Sequence, residues 1–475
     1  MIPPDHVPLV RLRLSGRQHV QLERHLFPGD GREAVALALC GRSAHEGREL
    51  VCVHHLEPVP YDECSCREPD RLTWKTERVR VLRERATTDG LGLLKIHSHP
   101  GGWPSFSRWD DASDRDLFPS VYAWSDTDRP HLSAIMLPGG RIVARVVTPG
   151  NTFAPVESVS VVGKRFVHWA TESSAPAMEN ATPPSADDYH RRTAQAFGEG
   201  TTRILSHLSV GVIGCSGTGS WVVEMLARLG VRELVLVDPD TVEPVNLNRI
   251  VHATVRDARV GTPKVDVLRQ AVDRIGLGTI VETYAADVRA VRVLQRLTHC
   301  DLIFGCVDSI EARDVLNRLS VYYLLPYLDV GVRLEADGEG GVQHIAGGVQ
   351  YVHADSPTLM ERGLYSAKDL ADAGLRRTDP SAFSDQLGRG YIRGAPAARP
   401  AVASVNAFYA SLAVNELLER IHGFRDESPA GVMVSLSQLR FVTIDDSGPS
   451  PGLARRAGRG DVVPMLGLPF LSDSR

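Results

Sequence analysis

The stretch LSVGVIGCSGTGSWVVEMLARLG, residues 208–230, decides the fold of the larger part of this chain. It opens as an apolar strand and closes as an amphipathic helix, and the turn between them carries Gly214, Gly217 and Gly219. The same alternation continues outward: strand ELVLVD (233–238), helix PKVDVLRQAVDRI (263–275), strand TIVETYAA (279–286), helix VRVLQRLTH (291–299) and strand DLIFGCVD (301–308). Strands joined by helical crossovers predict a parallel, doubly wound sheet. A helix near Tyr189–Phe197 precedes it. From Glu335 to Arg399 the pattern weakens among Gly, Asp, Ser and Arg, and an irregular crossover is expected. A helix (403–421), one strand (432–444) and a loosely packed tail follow.

Upstream, TESSAPAMENATPPSADD (171–188) has no apolar period and reads as a linker. The part before it offers strands PLVRLRLS, EAVALALC, ELVCVHHL, LGLLKIHSH, HLSAIML and RIVARVVT with a short helix at Gln18–Leu26, a mixed α+β pattern. The organisation expected is therefore an α+β domain at 1–165, a linker at 166–188, an α/β domain at 189–440 and a C-terminal strand and tail at 441–475.

Composition narrows the function classes. The formal net charge is -5, with no basic tract to neutralise a nucleic-acid backbone. No apolar run reaches the roughly 20 residues that span a bilayer, and the N-terminus lacks the basic-then-apolar form of a signal peptide, so a cytoplasmic protein is expected. The cysteines are Cys40, Cys52, Cys64, Cys66, Cys215, Cys300 and Cys306, an odd and sparse set that reads as mostly free thiols.

Two constellations carry chemistry. His97-Ser98-His99-Pro100 ends a strand, and Asp110 follows in Ser107-Arg108-Trp109-Asp110. Period-two geometry puts His97 and His99 on one face, and Pro100 turns the chain so that Asp110 can return as an oxygen ligand. Two His and a carboxylate leave a fourth position open, the pattern of a catalytic zinc. Ser107-x-x-Asp110 is also a plain helix capping box, and both readings stand together. The adjacent His54 and His55 face opposite sides and receive no metal role.

HSHP-x6-SxxD resembles the signature of the JAMM (JAB/MPN) zinc isopeptidases, with Glu33 in GREAVALALCG (31–41) matching the upstream acid of that family. The resemblance covers about residues 1–165. It implies zinc held by His97, His99 and Asp110, Glu33 as general base and acid, and Ser107 as oxyanion stabiliser.

The glycine loop from Gly214 to Ser220 can bring backbone amides to a phosphate. Asp238, 24 residues after Gly214, stands where a carboxylate holds ribose hydroxyls. That much says only nucleotide, and an NAD site shares it. The continuation Asp238-Pro-Asp240-Thr-Val-Glu243-Pro-Val-Asn246-Leu-Asn248-Arg249, then Gly261-Thr-Pro-Lys264, then Asp308 with Arg313 and Asn317, resembles ThiF/MoeB-type adenylyltransferases and ubiquitin-activating enzymes over about 189–440. Asp240 and Glu243 also fit a capped or solvated turn, and Arg313 and Asn317 a solvated helix face.

The resemblance implies a Rossmann-like ThiF/MoeB fold that binds ATP and magnesium. Gly214, Gly217, Gly219, Ser220, Asp238 and Asp240 would line the nucleotide. Asn248, Arg249 and Lys264 would contact the phosphates, with Arg249, Lys264 and Asp308 acting in catalysis. Asp308 would hold magnesium, and Arg191 would reach across a homodimer. The partners implied are a small ubiquitin-like or sulfur-carrier protein ending in glycine and a conjugating enzyme or other thiol acceptor.

The chain departs from that family in one respect. No cysteine lies beyond Cys306, so the crossover lacks a thioester cysteine and the paired Cys-x-x-Cys of a structural zinc; Thr358 and Glu361 stand where the first pair is expected. The reading is a bifunctional enzyme that cleaves after, and adenylates, the C-terminal glycine of a ubiquitin-like protein. A non-catalytic scaffold for such a tail and an NAD-dependent oxidoreductase are the alternatives.

Overall fold

The computed structural model describes residues 8–125, 127–171, 186–337, 339, 341–388, 401–446 and 448–471. It contains two compact units: Met1–Pro176 with Tyr322–Leu324 and Arg455–Val463, and Ala177–Val321 with Leu325–Ala454 and Pro464–Arg475.

The first unit is built from strands β1 (Leu9–Ser15), β2 (Val35–His45), β3 (Arg48–Pro58), β4 (Cys64–Arg67), β5 (Leu72–Trp74), β6 (Gly92–Ser98), β7 (His131–Met136), β8 (Ile142–Val147), β9 (Phe153–Pro155), β10 (Ser158–Val162) and β11 (Phe166–Ala170). Its helices are α1 (Gly16–Leu26), α2 (Glu77–Asp89) and α3 (Arg108–Ser125). Nine strands form one mixed sheet in the order β11-β10-β1-β3-β2-β6-β7-β8-β9, while β4 and β5 make a separate hairpin. Alternation along β6 separates two cores. Leu94 and Ile96 pack with Leu22 and Leu26 of α1, whereas Leu93 packs with Val79 and Leu82 of α2 and Leu117 and Phe118 of α3. The odd-numbered residues of β6 therefore face α2 and α3, and this parity carries Lys95 and His97 to that side.

Three readings of the sequence need correction here. Phe166–Ala170 is an edge strand paired with β10, so regular structure runs into the stretch assigned to the linker. Residues 172–185 of that stretch lie outside the described residues. The C-terminal stretch is not uniformly loose. Gly458 and Asp461 exchange backbone hydrogen bonds with Gly41 and Arg42 at 3.2 and 3.1 Å, and a Cβ on Gly41 would stand 2.2 Å from the Arg459 carbonyl carbon. Only glycine lets the two chains approach so closely. Glu33 precedes the strand it was assigned to, because β2 begins at Val35.

His131 gives this unit a pH dependence. It is fully buried, its Nδ1 accepts the Leu93 amide at 2.9 Å, and its Nε2 lies 3.3 Å from Ser125 Oγ. A second ring proton would put two donors face to face. Burial first, and the Arg42 charge second, push its pKa down to about 3. The unfolded imidazole takes up a proton near pH 6.5 and the folded one does not, so stability falls as pH drops below that value. The expected loss between pH 7 and pH 5 is about 2 kcal/mol. Urea unfolding at both pH values checks it, since His131→Asn, which keeps an acceptor for Leu93, should remove most of the difference.

The second unit carries α4 (Ala186–Leu205), β12 (Ser209–Ile213), α5 (Gly217–Arg228), β13 (Glu233–Val237), α6 (Val255–Val260), α7 (Lys264–Ile275), β14 (Ile280–Tyr284), α8 (Val291–Thr298), β15 (Leu302–Gly305), α9 (Ile310–Tyr322), β16 (Tyr327–Ala336), β17 (Val342–Val352), α10 (Ala367–Thr378), α11 (Pro380–Gly388), α12 (Ala403–His422), β18 (Gly431–Ser435) and β19 (Arg440–Ile444). The eight strands lie in the order β14-β13-β12-β15-β16-β17-β18-β19. The first five run parallel and the last three antiparallel, as expected of a mostly parallel, doubly wound sheet.

The single strand read at 432–444 is a hairpin, turned through Leu439 at φ 49°. The irregular crossover read from 335 to 399 holds the full-length strand β17 and two helices. β17 was missed because Gly347 and Gly348, together with the polar Gln343 and His344, dilute its alternation. Among the described residues no helix is long and apolar enough to cross a membrane.

Candidate functional site

In the first unit the antiparallel ladder pairs Val35 with His97, and the chain continues this pairing past the end of β2. Ser98 donates its amide to the Ala34 carbonyl at 3.0 Å, and its hydroxyl accepts the Ala34 amide at 2.9 Å. Glu33 donates its amide to Glu68, and its carbonyl accepts from Arg67. These bonds hold the Glu33 segment beside the end of β6. Glu33, His97 and His99 are all buried, with ligating atoms within 4.8 Å of one another.

α3 supplies the remaining member. Asp110, Asp114, Leu117 and Val121 share one helical face toward the sheet. Asp114 takes the buried Lys95 ammonium at 2.5 Å and the Arg145 guanidinium at 2.7 Å, which anchors the helix. One turn earlier, Asp110 Oδ1 lies 2.9 Å from His97 Nε2 and Oδ2 lies 3.4 Å from His99 Nε2. The two Nε2 atoms are 3.1 Å apart. Ligands at about 2.0–2.1 Å from one zinc ion in a tetrahedral arrangement stand roughly 3.3 Å from each other, so the donor set fits such an ion.

Orientation agrees. His99 Nδ1 is 2.8 Å from the Trp103 carbonyl, which can only accept, so Nδ1 carries a proton and Nε2, the atom that would ligate an ion, faces the cluster. Asp110 also closes the capping box. Its carboxylate accepts the Ser107 amide at 2.6 Å, and Ser107 Oγ accepts the amides of Trp109 and Asp110. Cap and candidate ligand are thus one residue.

The charges are set by this geometry. Burial alone would raise the Asp110 pKa, but hydrogen bonds from His97 and His99 overcome it and hold the carboxyl far below its ordinary value. Burial lowers the His97 pKa. At His99 burial also works downward, but Asp110 and the Trp103 carbonyl prevail and raise it. Burial, reinforced by Asp110, pushes Glu33 up to about 7 against the pull of His99. Ser98, Trp103 and the Lys95–Asp114–Arg145 network escaped the sequence reading. Only the position of Ser98 between the two histidines gave a signal for it.

In the second unit the strand order reverses between β12 and β15, the place where open α/β sheets bind ligands. There Gly214 takes φ 89°, and a Cβ on it would lie 2.4 Å from the Cys306 carbonyl oxygen; one on Gly219 would lie 1.8 Å from the Gly214 oxygen. A Cβ on Gly217 would meet the Asn406 amide of α12 at 2.5 Å. The glycines are thus required by chain-to-chain approach as well as by any ligand. Asp238 is buried, with one carboxylate oxygen taking the Cys215 amide at 2.7 Å and the other the Asp240 amide at 2.9 Å.

Lys264 opens α7 and is fixed twice. Its amide donates to the Asp240 carbonyl, and its ammonium lies 2.7 Å from the Asp240 carboxylate and 3.8 Å from that of Asp238. The structure thus gathers Gly214, Asp238, Asp240 and Lys264. Asn248 donates to the Ala401 carbonyl, and Arg249 donates to the Val245 carbonyl and the Asn248 side chain. Asp308 is exposed just beyond β15, and Arg191 is exposed on α4.

Ser220 is a correction. It is fully buried, with its hydroxyl donating to the Gly217 carbonyl and accepting the Val251 amide, so it braces the loop and does not present itself to a nucleotide. The solvated-face alternative for Arg313 and Asn317 also falls. Arg313 pairs with buried Asp329 at 3.0 Å, and Asn317 bonds the Tyr365 hydroxyl and the Leu359 amide.

Thr358 and Glu361 do not leave a gap where a metal pair was sought. Thr358 donates its amide and hydroxyl to the Glu361 carboxylate, whose other oxygen accepts from Ser450. Cys215 and Cys306 are shielded, and burial drives both thiols far above their ordinary pKa, the opposite of what a nucleophile needs.

The ThiF family model matches residues 189–447, and that of prokaryotic homologs of the JAB domain matches residues 17–139. Curated relatives include ubiquitin-like modifier-activating enzyme 5 of Oryza sativa subsp. japonica, 31% identical over 32% of this chain and 38% of that protein. The molybdopterin-synthase adenylyltransferase of Haemophilus influenzae is 30% identical over 28% of this chain and 53% of that protein. The chain thus spans only about two fifths to half of the length of these relatives. Among solved structures, E. coli MccB with ATP aligns over 57% of this chain and 74% of its own at 18% identity, with a TM-score of 0.42. Because the ThiF model covers more than half of the 475 residues, the chain belongs to the ThiF family.

Proposed function

We propose that the chain is a bifunctional enzyme of a ubiquitin-like or sulfur-carrier system, with a zinc-dependent isopeptidase site in its first unit and an ATP-dependent adenylation site in its second. The observation that carries the reading is the convergence of buried Glu33 on the His97–His99–Asp110 cluster, beside a family membership whose named relatives activate ubiquitin-like proteins or adenylate molybdopterin synthase.

In the first unit His97, His99 and Asp110 would hold the ion, which supplies Lewis-acid polarisation of the scissile carbonyl when bound. Glu33 takes a proton from the attacking water and returns it to the departing amine, and a carboxyl whose pKa lies near neutrality suits both transfers. Ser107 is assigned the oxyanion. It sits at the cap of α3 beside Asp110, and its hydroxyl proton is free to point outward because Oγ accepts both amide bonds.

In the second unit an oxygen of the substrate's terminal glycine carboxylate attacks the α-phosphorus of ATP. The bond to the β-phosphate oxygen breaks, and pyrophosphate leaves with that electron pair. Asp238 accepts ribose hydroxyls on the lone pairs its amide bonds leave open, Asn248, Arg249 and Lys264 meet the phosphates, and Asp308 would hold magnesium. Arg191 reaches the partner's nucleotide in a homodimer. The adenylate passes to a thiol of another protein: no cysteine follows Cys306, Cys215 is buried and Cys306 half-buried, and desolvation raises the pKa of both thiols.

The test uses a small protein ending in glycine encoded beside this chain's gene. The expected results are ATP–pyrophosphate exchange that depends on that protein, and cleavage of a version extended beyond the glycine. A zinc-selective chelator should stop the cleavage and spare the exchange in magnesium. Stoichiometric zinc lost on His97→Ala would support the assigned ligands, and wild-type protein purified and reconstituted with no zinc uptake would refute them.

A further inference from the structure

The cluster opens into a groove of about 710 Å³ walled by the β4–β5 hairpin, α2 and α3. Its lining joins Glu33, His97 and Asp110 to Arg71, Arg80 and Arg83. Helix α2 carries four arginines, and they are used unequally. Arg78 is tied to Glu57 and, at 2.7 Å, to Glu63; Arg85 lies 4.0 Å from Asp89. Arg80 and Arg83, three residues apart on adjacent turns, line the groove, are exposed and make no ion pair among the described residues. Arg71 leans over the Trp109 ring at 5.7 Å. Among the described residues the lining carboxylates outside the cluster are Asp70 and Asp116, and Lys95 is already neutralised by Asp114, so away from the cluster three guanidinium groups stand against two acids.

We infer that this groove selects peptides bearing acidic side chains next to the cleaved glycine bond, with Arg80 and Arg83 as the specificity-determining residues. The inference rests on the peptidase reading of the cluster. A planar guanidinium takes a carboxylate through two parallel hydrogen bonds, and two such groups on one wall give the site charge and register together. Neither residue touches the reacting atoms, so their loss should alter preference and spare the reaction itself.

The experiment uses the full chain loaded with zinc and fluorogenic peptides in which a Glu is walked through the positions on either side of a Gly–X bond, with Gln and Lys series as comparison. The expected result is a kcat/KM at least tenfold higher for Glu than Gln at one or more positions. The gain should shrink as salt is raised, disappear in Arg80→Ala/Arg83→Ala and turn into a preference for Lys in Arg80→Glu/Arg83→Glu. Cleavage indifferent to charge, or a preference that survives the double alanine change, would overturn the inference. Should wild type cleave none of the peptides, equilibrium binding to the Glu33→Gln protein decides. Acidic peptides held only when Arg80 and Arg83 are present would uphold the groove while the peptidase reading falls; binding insensitive to them would sink the groove.

Discussion

Replacing Glu33 by Gln is expected to lower peptide cleavage by about 10²–10⁴-fold, the usual contribution of a positioned general base, with ATP–pyrophosphate exchange unchanged. The substitution keeps the shape and removes the titrating carboxyl. The backbone of residue 33 is held by Glu68 and Arg67 through its own amide and carbonyl, so the segment stays in place whichever side chain it carries. His97, His99 and Asp110 do not depend on Glu33 for their mutual contacts, and the variant should bind as much zinc as wild type. Parallel measurement of zinc content, cleavage and exchange separates the outcomes. Full cleavage by the variant would remove Glu33 from the chemistry. Loss of both activities with zinc retained would contradict the independence of the two sites.

Lys264→Ala should reduce pyrophosphate exchange by about 10²–10³-fold, the scale seen when one preorganised charge-stabilising donor is lost, and leave cleavage intact. Lys264 is buried between the Asp238 and Asp240 carboxylates, so its ammonium is held without help from a ligand. Burial already raises the Asp238 pKa, and Lys264 is the main force against that rise. Removing the ammonium therefore takes away the proposed phosphate contact and also favours protonation of the carboxylate assigned to ribose. Asp308→Ala serves as a second variant on the opposite side of the loop, and it too should lose exchange. Exchange within a few-fold of wild type for both would argue that this unit does not adenylate.

The sequence reading succeeded wherever the signal was local. The turn at 208–230, the strand–helix alternation after it and the parity that puts His97 at the end of β6 on the α2–α3 side all follow from spacing alone. The reading failed where a segment's identity is set by what packs against it. β17 looks irregular because Gly347 and Gly348 are dictated by the crowding of Tyr409 and Met433, and the tail looks loose because Gly41 is where the 458–460 segment lies on β2. Ser220 was read as a ligand contact from its place in the glycine loop, but its hydroxyl is taken by Gly217 and Val251.

Asp110 shows the division most clearly. Its spacing from Ser107 determines the helix cap, because a cap joins residues three apart and needs nothing else. That the same carboxylate also reaches both histidine rings was decided only by the docking of α3 on the sheet through Asp114, Lys95 and Arg145, residues up to 50 positions apart in the chain. The state of Glu33 belongs to the same level. Residue order names the acid, but only burial among side chains distant in sequence moves its proton affinity toward neutrality, since the cost of holding charge depends on the surroundings.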